Sequence, residues 1–371
     1  RDTEGGETLY EYNTAGRTLA VTYPNDMRSV YTYTAVGNVK SVETTLGGIA
    51  VERLEYAFGE SNERTMVTQL DGRKSVFTYD VALRLVAEDQ VEASGESVFQ
   101  HVYSYDTAGN RLSIADASGS NKLLTYNANN QLLSFGERTF TYDVNGRLSL
   151  DIGDNHRVED FYDAEDQLIR VDSNGSVVEY IYDALGNRVA EIRDGSRTNF
   201  LLDFRPNGIH QVLAEYQTAE AFEVQYVYGH QRISRSDEIG TAYFHYDASQ
   251  NVIALSNAVG AVTDRYVMTA FGELLEHVGA SNNPYLFASE RVDSQNQLVH
   301  LRARDYAPEQ GLFLTRDPFA GVLNDPTSLH RYQYAHRNPL SNTDPTGEIT
   351  LRLQRSLRKR RSLRQSSPIP Q

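Results

Sequence analysis

The stretches YDTAGN at 105–110, YDVNGR at 142–147 and YDALGN at 182–187 decide the fold of this chain. Successive copies of the pattern are often about 20 to 26 residues apart, a spacing typical of stacked structural repeats. The sequence therefore predicts one small folded unit that is repeated many times. Weaker copies begin at Tyr12, Tyr33, Tyr56, Tyr79, Tyr126, Tyr162 and Tyr246.

Each unit is predicted to be a β-hairpin. Before the turn, Tyr103 and Tyr105 lie two residues apart and share one face of a strand, and Leu112 and Ile114 do the same after it. In the turn, the aspartate accepts backbone N–H bonds and the glycine adopts a positive φ without steric cost. Because an isolated hairpin is at best marginally stable in water, the hairpins must pair edge to edge into one long sheet that curls.

Composition agrees with an all-β fold and excludes several classes of site. The 371 residues include 24 Tyr and 14 Phe, with hydrophobic content of 40% and no Trp or Cys. The absence of cysteine excludes disulfides and thiolate metal sites, and no run of roughly 18 apolar residues predicts a membrane span. The nine histidines show no HExxH spacing, and no phosphate or dinucleotide loop stands out. We therefore expect no metal and no cofactor.

Charge divides the chain into two parts. The formal net charge is −15, but residues 349–371 contain seven Arg or Lys and no acid, which leaves −22 for the rest. The acidic body is expected to repel nucleic acid. The tail places Leu351, Leu353, Leu357 and Leu363 among cations, so it is either a short amphipathic helix or a solvated, disordered end.

The hairpin pattern stops near residue 281. Residues 284–321 read PYLFASERVDSQNQLVHLRARDYAPEQGLFLTRDPFAG and residues 328–349 read SLHRYQYAHRNPLSNTDPTGEI, both without hairpin spacing. The sequence thus predicts a repeat region at 1–281, a distinct terminal module at 282–348 and the basic tail at 349–371. The chain begins at Arg1 and has no signal-peptide pattern, so we expect it to be part of a longer protein.

The YD hairpins, followed by LVHLRARDYAPEQGLFLTRDP and RYQYAHRNPLSNTDPTG, resemble the Rhs family of YD-repeat proteins and its repeat-associated core domain. The pattern is also similar to toxin-complex C subunits and to the animal teneurins. The resemblance extends to Gly347 and implies a spiralling β-sheet, forming a partial or complete hollow shell with a core domain that plugs one end. It further implies a secreted or cell-surface protein.

The same resemblance implies a role as an encapsulating shell. In bacterial members the cargo is the polypeptide that follows the core domain, usually a toxin, and here that polypeptide is truncated or missing. Implied partners are this polypeptide, a secretion apparatus and an immunity protein. Two alternatives stay open: an adhesion module that binds carbohydrate or a partner cell through tyrosine-lined strands, and a self-cleaving protein that is otherwise not an enzyme.

Self-cleavage in the family is of the aspartic type and follows the DPxG element. The residues here that match it are Arg316, Asp317 and Asp344, with Asp325 as an alternative second carboxylate. The implied scissile bond follows Glu348, where the family usually has leucine. Two close carboxylates suit this chemistry because one stays protonated as an acid while the other activates water. A structural alternative is that the three Asp-Pro pairs only shape turns.

Overall fold

The computed structural model describes residues 5–203, 209–218, 221–322, 324 and 326–353. Within these ranges, no helix is long and apolar enough to cross a membrane. Twenty-six strands form one large sheet. They are β1 Leu9–Tyr12, β2 Thr18–Thr22, β3 Met27–Tyr33, β4 Val39–Leu46, β5 Ile49–Phe58, β6 Arg64–Gln69, β7 Lys74–Tyr79, β8 Leu85–Val91, β9 Ser97–Tyr105, β10 Arg111–Asp116, β11 Asn121–Tyr126, β12 Leu132–Phe135, β13 Arg138–Tyr142, β14 Leu148–Gly153, β15 His156–Tyr162, β16 Leu168–Ser173, β17 Ser176–Tyr182, β18 Arg188–Arg193, β19 Ser196–Asp203, β20 Gln211–Tyr216, β21 Val224–Tyr228, β22 Arg232–Asp237, β23 Gly240–Tyr246, β24 Val252–Asn257, β25 Val262–Met268 and β26 Leu274–Val278.

The large sheet is an antiparallel meander. Each strand pairs with the next one in the chain, from β1 with β2 to β25 with β26. Among the described strands, no pairing joins β26 back to β1, so the sheet is open rather than a closed barrel. The predicted all-β architecture of successive hairpins is confirmed.

The motif turns show why the YDxxGN pattern specifies a hairpin. Asp183 Oδ1 accepts hydrogen bonds from the backbone nitrogens of Leu185 (2.8 Å) and Asn187 (2.9 Å). The Asn187 side chain donates to the other oxygen of Asp183 at 2.9 Å. Gly186 has φ +80°, a conformation that costs other residues steric energy. The aspartate, glycine and asparagine of the motif therefore form one closed turn.

At several copies, the motif tyrosine connects its hairpin to the one before it. The Tyr182 hydroxyl donates to the carbonyl of Leu168, at the start of the return strand of the preceding hairpin, over 2.8 Å. The bond gives the carbonyl of Leu168 a hydrogen-bond donor. The tyrosine ring packs on the inner face of the sheet. Where this bond forms, it explains a tyrosine rather than a phenylalanine, whereas the buried hydroxyls of Tyr126 and Tyr162 have no hydrogen-bond partner. Equivalent bonds join Tyr33 to Thr18, Tyr79 to Arg64, Tyr105 to Leu85, Tyr228 to Val212 and Tyr246 to Arg232.

The sheet curls until its first hairpins touch hairpins far along the chain. The Asn25 side chain donates to Ser256 Oγ at 3.0 Å, across 231 positions. The Arg64 side chain donates to Ser249 Oγ at 2.7 Å, across 185 positions. These contacts join the first hairpins to the later ones through side-chain hydrogen bonds and not through backbone pairing of strands. The large sheet is therefore a coiled strip.

Residues 282–348, here called the core module, have a fold of their own. They contain short 3-10 helices at Phe287–Ser289, Pro326–Leu329 and Ala335–Arg337 and the four-stranded sheet β27 Arg291–Val292, β28 Val299–Leu301, β29 Arg304–Ala307 and β30 Leu312–Phe313. The module lies against the hairpin ends that carry the motif turns. Its side chains donate to carbonyls there, in the pairs Asn338 to Leu83, Arg337 to Gly109, Tyr332 to Gly146 and Tyr306 to Phe271.

The contact surface between the large sheet and the core module, here called the seam, also contains buried ion pairs. Arg188 of β18 lies 3.0 Å from both carboxylate oxygens of Asp305, and each side chain is 6% exposed. Such pairs fix the position of the core module on the large sheet, because any other position would leave a buried charge without its partner at a large cost in free energy. Further pairs are Arg193 with Asp293, Arg291 with Glu191 and Arg291 with Glu215.

The chain continues beyond the core module as part of the fold. Strand β31, Asn342–Thr343, pairs antiparallel with β32, Leu351–Arg352. The first residues expected to belong to the basic tail are thus hydrogen-bonded to the core module. The rest of the tail, from residue 354 to 371, lies outside the described residues. The domain boundaries themselves stay a prediction.

One irregular copy of the motif offers a test of the turn. In YTAVGN a threonine, Thr34, replaces the aspartate, and both polar side-chain atoms of the buried Asn38 lack a hydrogen-bond partner. Thr34→Asp should supply that partner and raise the free energy of unfolding by about 1 kcal/mol, as measured by urea denaturation. Asp183→Thr, the reverse change in a regular copy, should lower it by a similar amount. An unchanged stability in both variants would contradict this account of the motif.

Candidate functional site

Arg304 is the centre of a buried polar cluster in the core module. It lies on β29, is 3% exposed and places its guanidinium 3.7 Å from the centre of the Phe313 ring. Its Nη1 donates to the carbonyl of Arg331 over 3.0 Å. These contacts fix the guanidinium in one position, because both its flat face and one edge are engaged.

The other terminal nitrogen of Arg304, Nη2, lies between two carboxylates. Nη2 is 2.8 Å from Oδ2 of Asp317 and 3.4 Å from Oδ2 of Asp344. Burial raises the pKa values of both aspartates above their ordinary value, although the charge of Arg304 partly lowers them again. The cluster therefore holds two carboxyl groups that share one cation, an arrangement that favours keeping a proton on one of them.

Asp344 also contacts the peptide that the sequence analysis marked as scissile. Its Oδ1 accepts hydrogen bonds from the backbone nitrogens of Glu348 and Ile349, each over 3.0 Å. The nitrogen of Ile349 belongs to the Glu348–Ile349 bond. Asp344 is thus in direct contact with the atom that would become the new amine if this bond were hydrolysed.

The loop that carries this bond is held tightly. Arg304 Nε donates to the carbonyl of Gly347, and the backbone nitrogen of Ala303 donates to the carbonyl of Thr346 over 3.2 Å. Gly347 has φ +73°, and a Cβ there would lie 2.4 Å from the carbonyl oxygen of Leu301. Only glycine fits this close approach, which accounts for the glycine of DPTG.

The structure brings together two of the four candidate residues. Asp317 and Asp344 lie on either side of one guanidinium, but Arg316 is exposed, and the arginine that reaches both carboxylates is Arg304. Asp325 lies outside the described residues. Sequence reasoning missed Arg304 because LRARDY contains two arginines, Arg302 in the turn after β28 and Arg304 on β29, and no local pattern shows which one faces the aspartates. Within the described part of the chain, no group of three or more His, Asp or Glu side chains is placed to hold a metal ion.

Comparison with known proteins agrees with this architecture. Residues 60–340 match the family model described as teneurin YD-shell. The chain belongs to the teneurin YD-shell family. The match covers most of the large sheet and nearly all of the core module.

Among curated relatives, the chain is 31% identical over 256 residues to the tRNA3(Ser)-specific nuclease WapA of Bacillus spizizenii, covering 66% of the chain and 11% of that protein. It is 24% identical over 339 residues to the toxin protein Tse5 of Pseudomonas aeruginosa, covering 74% of the chain and 25% of that protein. It is 27% identical over 259 residues to teneurin-3 of Danio rerio, covering 64% and 9%. The chain therefore spans a quarter or less of each of these relatives.

A solved structure shows the same fold. The crystal structure of TcdB2-TccC3-TEV matches with a TM-score of 0.50 and 16% identity, over 92% of this chain and 21% of that chain. At this identity the likeness extends to the fold alone.

Proposed function

We propose that this chain is the C-terminal part of a secreted or cell-surface shell that encloses and helps to deliver the polypeptide that follows the core module. The observation that supports it is the position of the core module, which is bonded to motif turns from Leu83 to Phe271. A module held along so much of the strip closes one end of it. The similarity to a protein named as a toxin, Tse5, and to a protein named as a tRNA nuclease, WapA, fits such a role.

A fusion experiment tests enclosure. A small, protease-sensitive reporter is joined after Gln371. The fusion is treated with a nonspecific protease under conditions that leave the large sheet uncleaved. If the shell encloses its C-terminal polypeptide, the reporter on the folded fusion should be degraded at least about tenfold more slowly than on a fusion that is denatured first. The denatured fusion is diluted into the same assay. Equal rates would contradict enclosure. A reporter fused before Glu7 serves as the exposed control.

Adhesion through tyrosine-lined strands has less support. Several motif tyrosines use their hydroxyls to bond backbone carbonyls of the neighbouring hairpin, and the rings of most pack inward. Among the described tyrosines, only Tyr12 is exposed, with 40% of its surface accessible to solvent. The tyrosines are therefore committed to holding the sheet together rather than to a ligand.

We propose as a second activity that the core module hydrolyses its own Glu348–Ile349 bond. In this reaction water adds to the carbonyl carbon of Glu348 and gives one proton to Asp317. The C–N bond then breaks, and the nitrogen of Ile349 takes a proton from Asp344. The products are a free carboxyl group at Glu348 and a free amine at Ile349. The Ile349 N–H donates to Asp344 Oδ1 over 3.0 Å, which supports this assignment because it places a carboxyl group beside the leaving nitrogen.

A point substitution tests self-cleavage. Wild-type chain that carries a longer C-terminal fusion should split at Glu348–Ile349, as read by gel electrophoresis and N-terminal sequencing of the fragment. Asp317→Asn should slow the reaction by at least about 100-fold, because it removes the proton acceptor. Asp166→Asn, the same chemical change at a side chain that is 58% exposed, should leave the rate unchanged. A wild-type fusion that stays intact would refute the proposal without affecting enclosure.

A further inference from the structure

One buried histidine of the seam has a protonation state that its contacts determine. His330 is 6% exposed, and its Nε2 lies 2.9 Å from Oδ1 of Asn110 in the YDTAGN turn. Its Nδ1 lies 3.2 Å from the backbone nitrogen of Tyr332 and 3.1 Å from that of Gln333. Because backbone amides only donate, Nδ1 must be the acceptor. His330 is therefore neutral and carries its proton on Nε2.

The surroundings of His330 oppose a second proton. Protonation of Nδ1 would turn two hydrogen bonds into contacts between N–H groups. The charged groups that face the ring are Arg337, which is fully buried and donates to the carbonyl of Gly109, and Asp106, whose Oδ2 already accepts from Asn110. Burial, with a smaller contribution from Arg337, lowers the pKa of His330 to about 3.

A second histidine occupies the seam beside the Arg188–Asp305 pair. His300 of β28 places Nδ1 3.1 Å from Oδ1 of Asp305, and Asp305 also binds Arg188 of the large sheet. The charged groups around the ring are Asp305, Arg188 and Arg302. Burial, followed by the charge of Arg188, lowers the pKa of His300 to about 4. The seam thus contains two histidines whose pKa values are lowered by burial, one at each of two separate contacts.

We propose that His330 and His300 make the seam an acid-sensitive latch, through which the core module detaches from the large sheet in mildly acidic solution. When the module detaches, water reaches both rings, and they regain an ordinary proton affinity near pH 6.5. The docked state then binds fewer protons than the detached state below about pH 6.5. Docking is therefore strongest above that pH and weakens as the pH falls toward 4. This inference does not depend on what the shell encloses.

Hydrogen exchange followed by mass spectrometry tests the latch in the full chain. Protection factors, corrected for the intrinsic exchange rate, are compared at about pH 7.5 and about pH 5. Protection of the core module should fall relative to the strands of the large sheet by up to roughly 30-fold for each histidine. The double variant His300→Gln/His330→Gln should lose this difference. His245→Gln changes a buried histidine that contacts Ser256 within the large sheet, and it should keep the difference.

Two results would overturn the latch. The first is a wild-type chain in which the core module and the large sheet lose protection in parallel. The second is a folded double variant that keeps the full differential loss in acid. If the double variant does not fold at about pH 7.5, the wild-type comparison alone decides, because it requires no substitution.

Discussion

Arg188→Met is expected to lower the free energy of unfolding by about 3–5 kcal/mol. The change leaves Asp305 buried without its arginine partner, and it also removes the guanidinium that lies 3.7 Å from the centre of the Tyr180 ring. Methionine keeps most of the volume, so the loss reports the uncompensated charge rather than a cavity. Urea denaturation monitored by tyrosine fluorescence measures it.

Two controls distinguish a buried charge from a general loss of contacts. Adding Asp305→Leu to Arg188→Met removes both charges and should recover much of the lost stability, because apolar replacements of a buried pair are often neutral. Lys122→Met removes an ion pair with Glu309 of the core module, but the lysine side chain is 55% exposed. That change should have little effect. A double variant less stable than the single one would contradict the charge argument.

Arg304→Met is expected to abolish cleavage at Glu348–Ile349, with a rate at least about 100-fold below that of the wild type. The substitution removes the cation shared by Asp317 and Asp344 and frees the carbonyl of Gly347. Without it, both carboxyl groups become protonated and neither activates water. The rate is measured on the C-terminal fusion that tests Asp317→Asn.

Arg316→Met is the matched control for Arg304. Its side chain is exposed, so the same chemical change there should leave the cleavage rate within about twofold of the wild type. Loss of cleavage in Arg316→Met with an active Arg304→Met would restore the assignment suggested by sequence resemblance. Circular dichroism on each variant separates loss of chemistry from loss of the β fold.

Most of the large sheet was predictable from local pattern. Tyrosine, aspartate and glycine at fixed spacing specify a turn and the strands on either side of it, since Asp183 and Gly186 act within five residues of each other. The bond from Tyr182 to Leu168 spans only one hairpin. The resemblance to YD-repeat proteins also identified Asp317 and Asp344, because their Asp-Pro and DPTG contexts are local.

The amino-acid sequence alone determined the hairpin, its repetition and the two aspartates, because each depends on residues close together in the chain. Only the tertiary structure decided which arginine serves those aspartates, which hairpins touch as the strip coils, and where neutral histidines become buried. These outcomes depend on pairs such as Arg64 with Ser249 and His330 with Asn110, separated by 185 and 220 positions. No local pattern encodes them, because burial and proximity arise only when the strip coils and the core module packs against it.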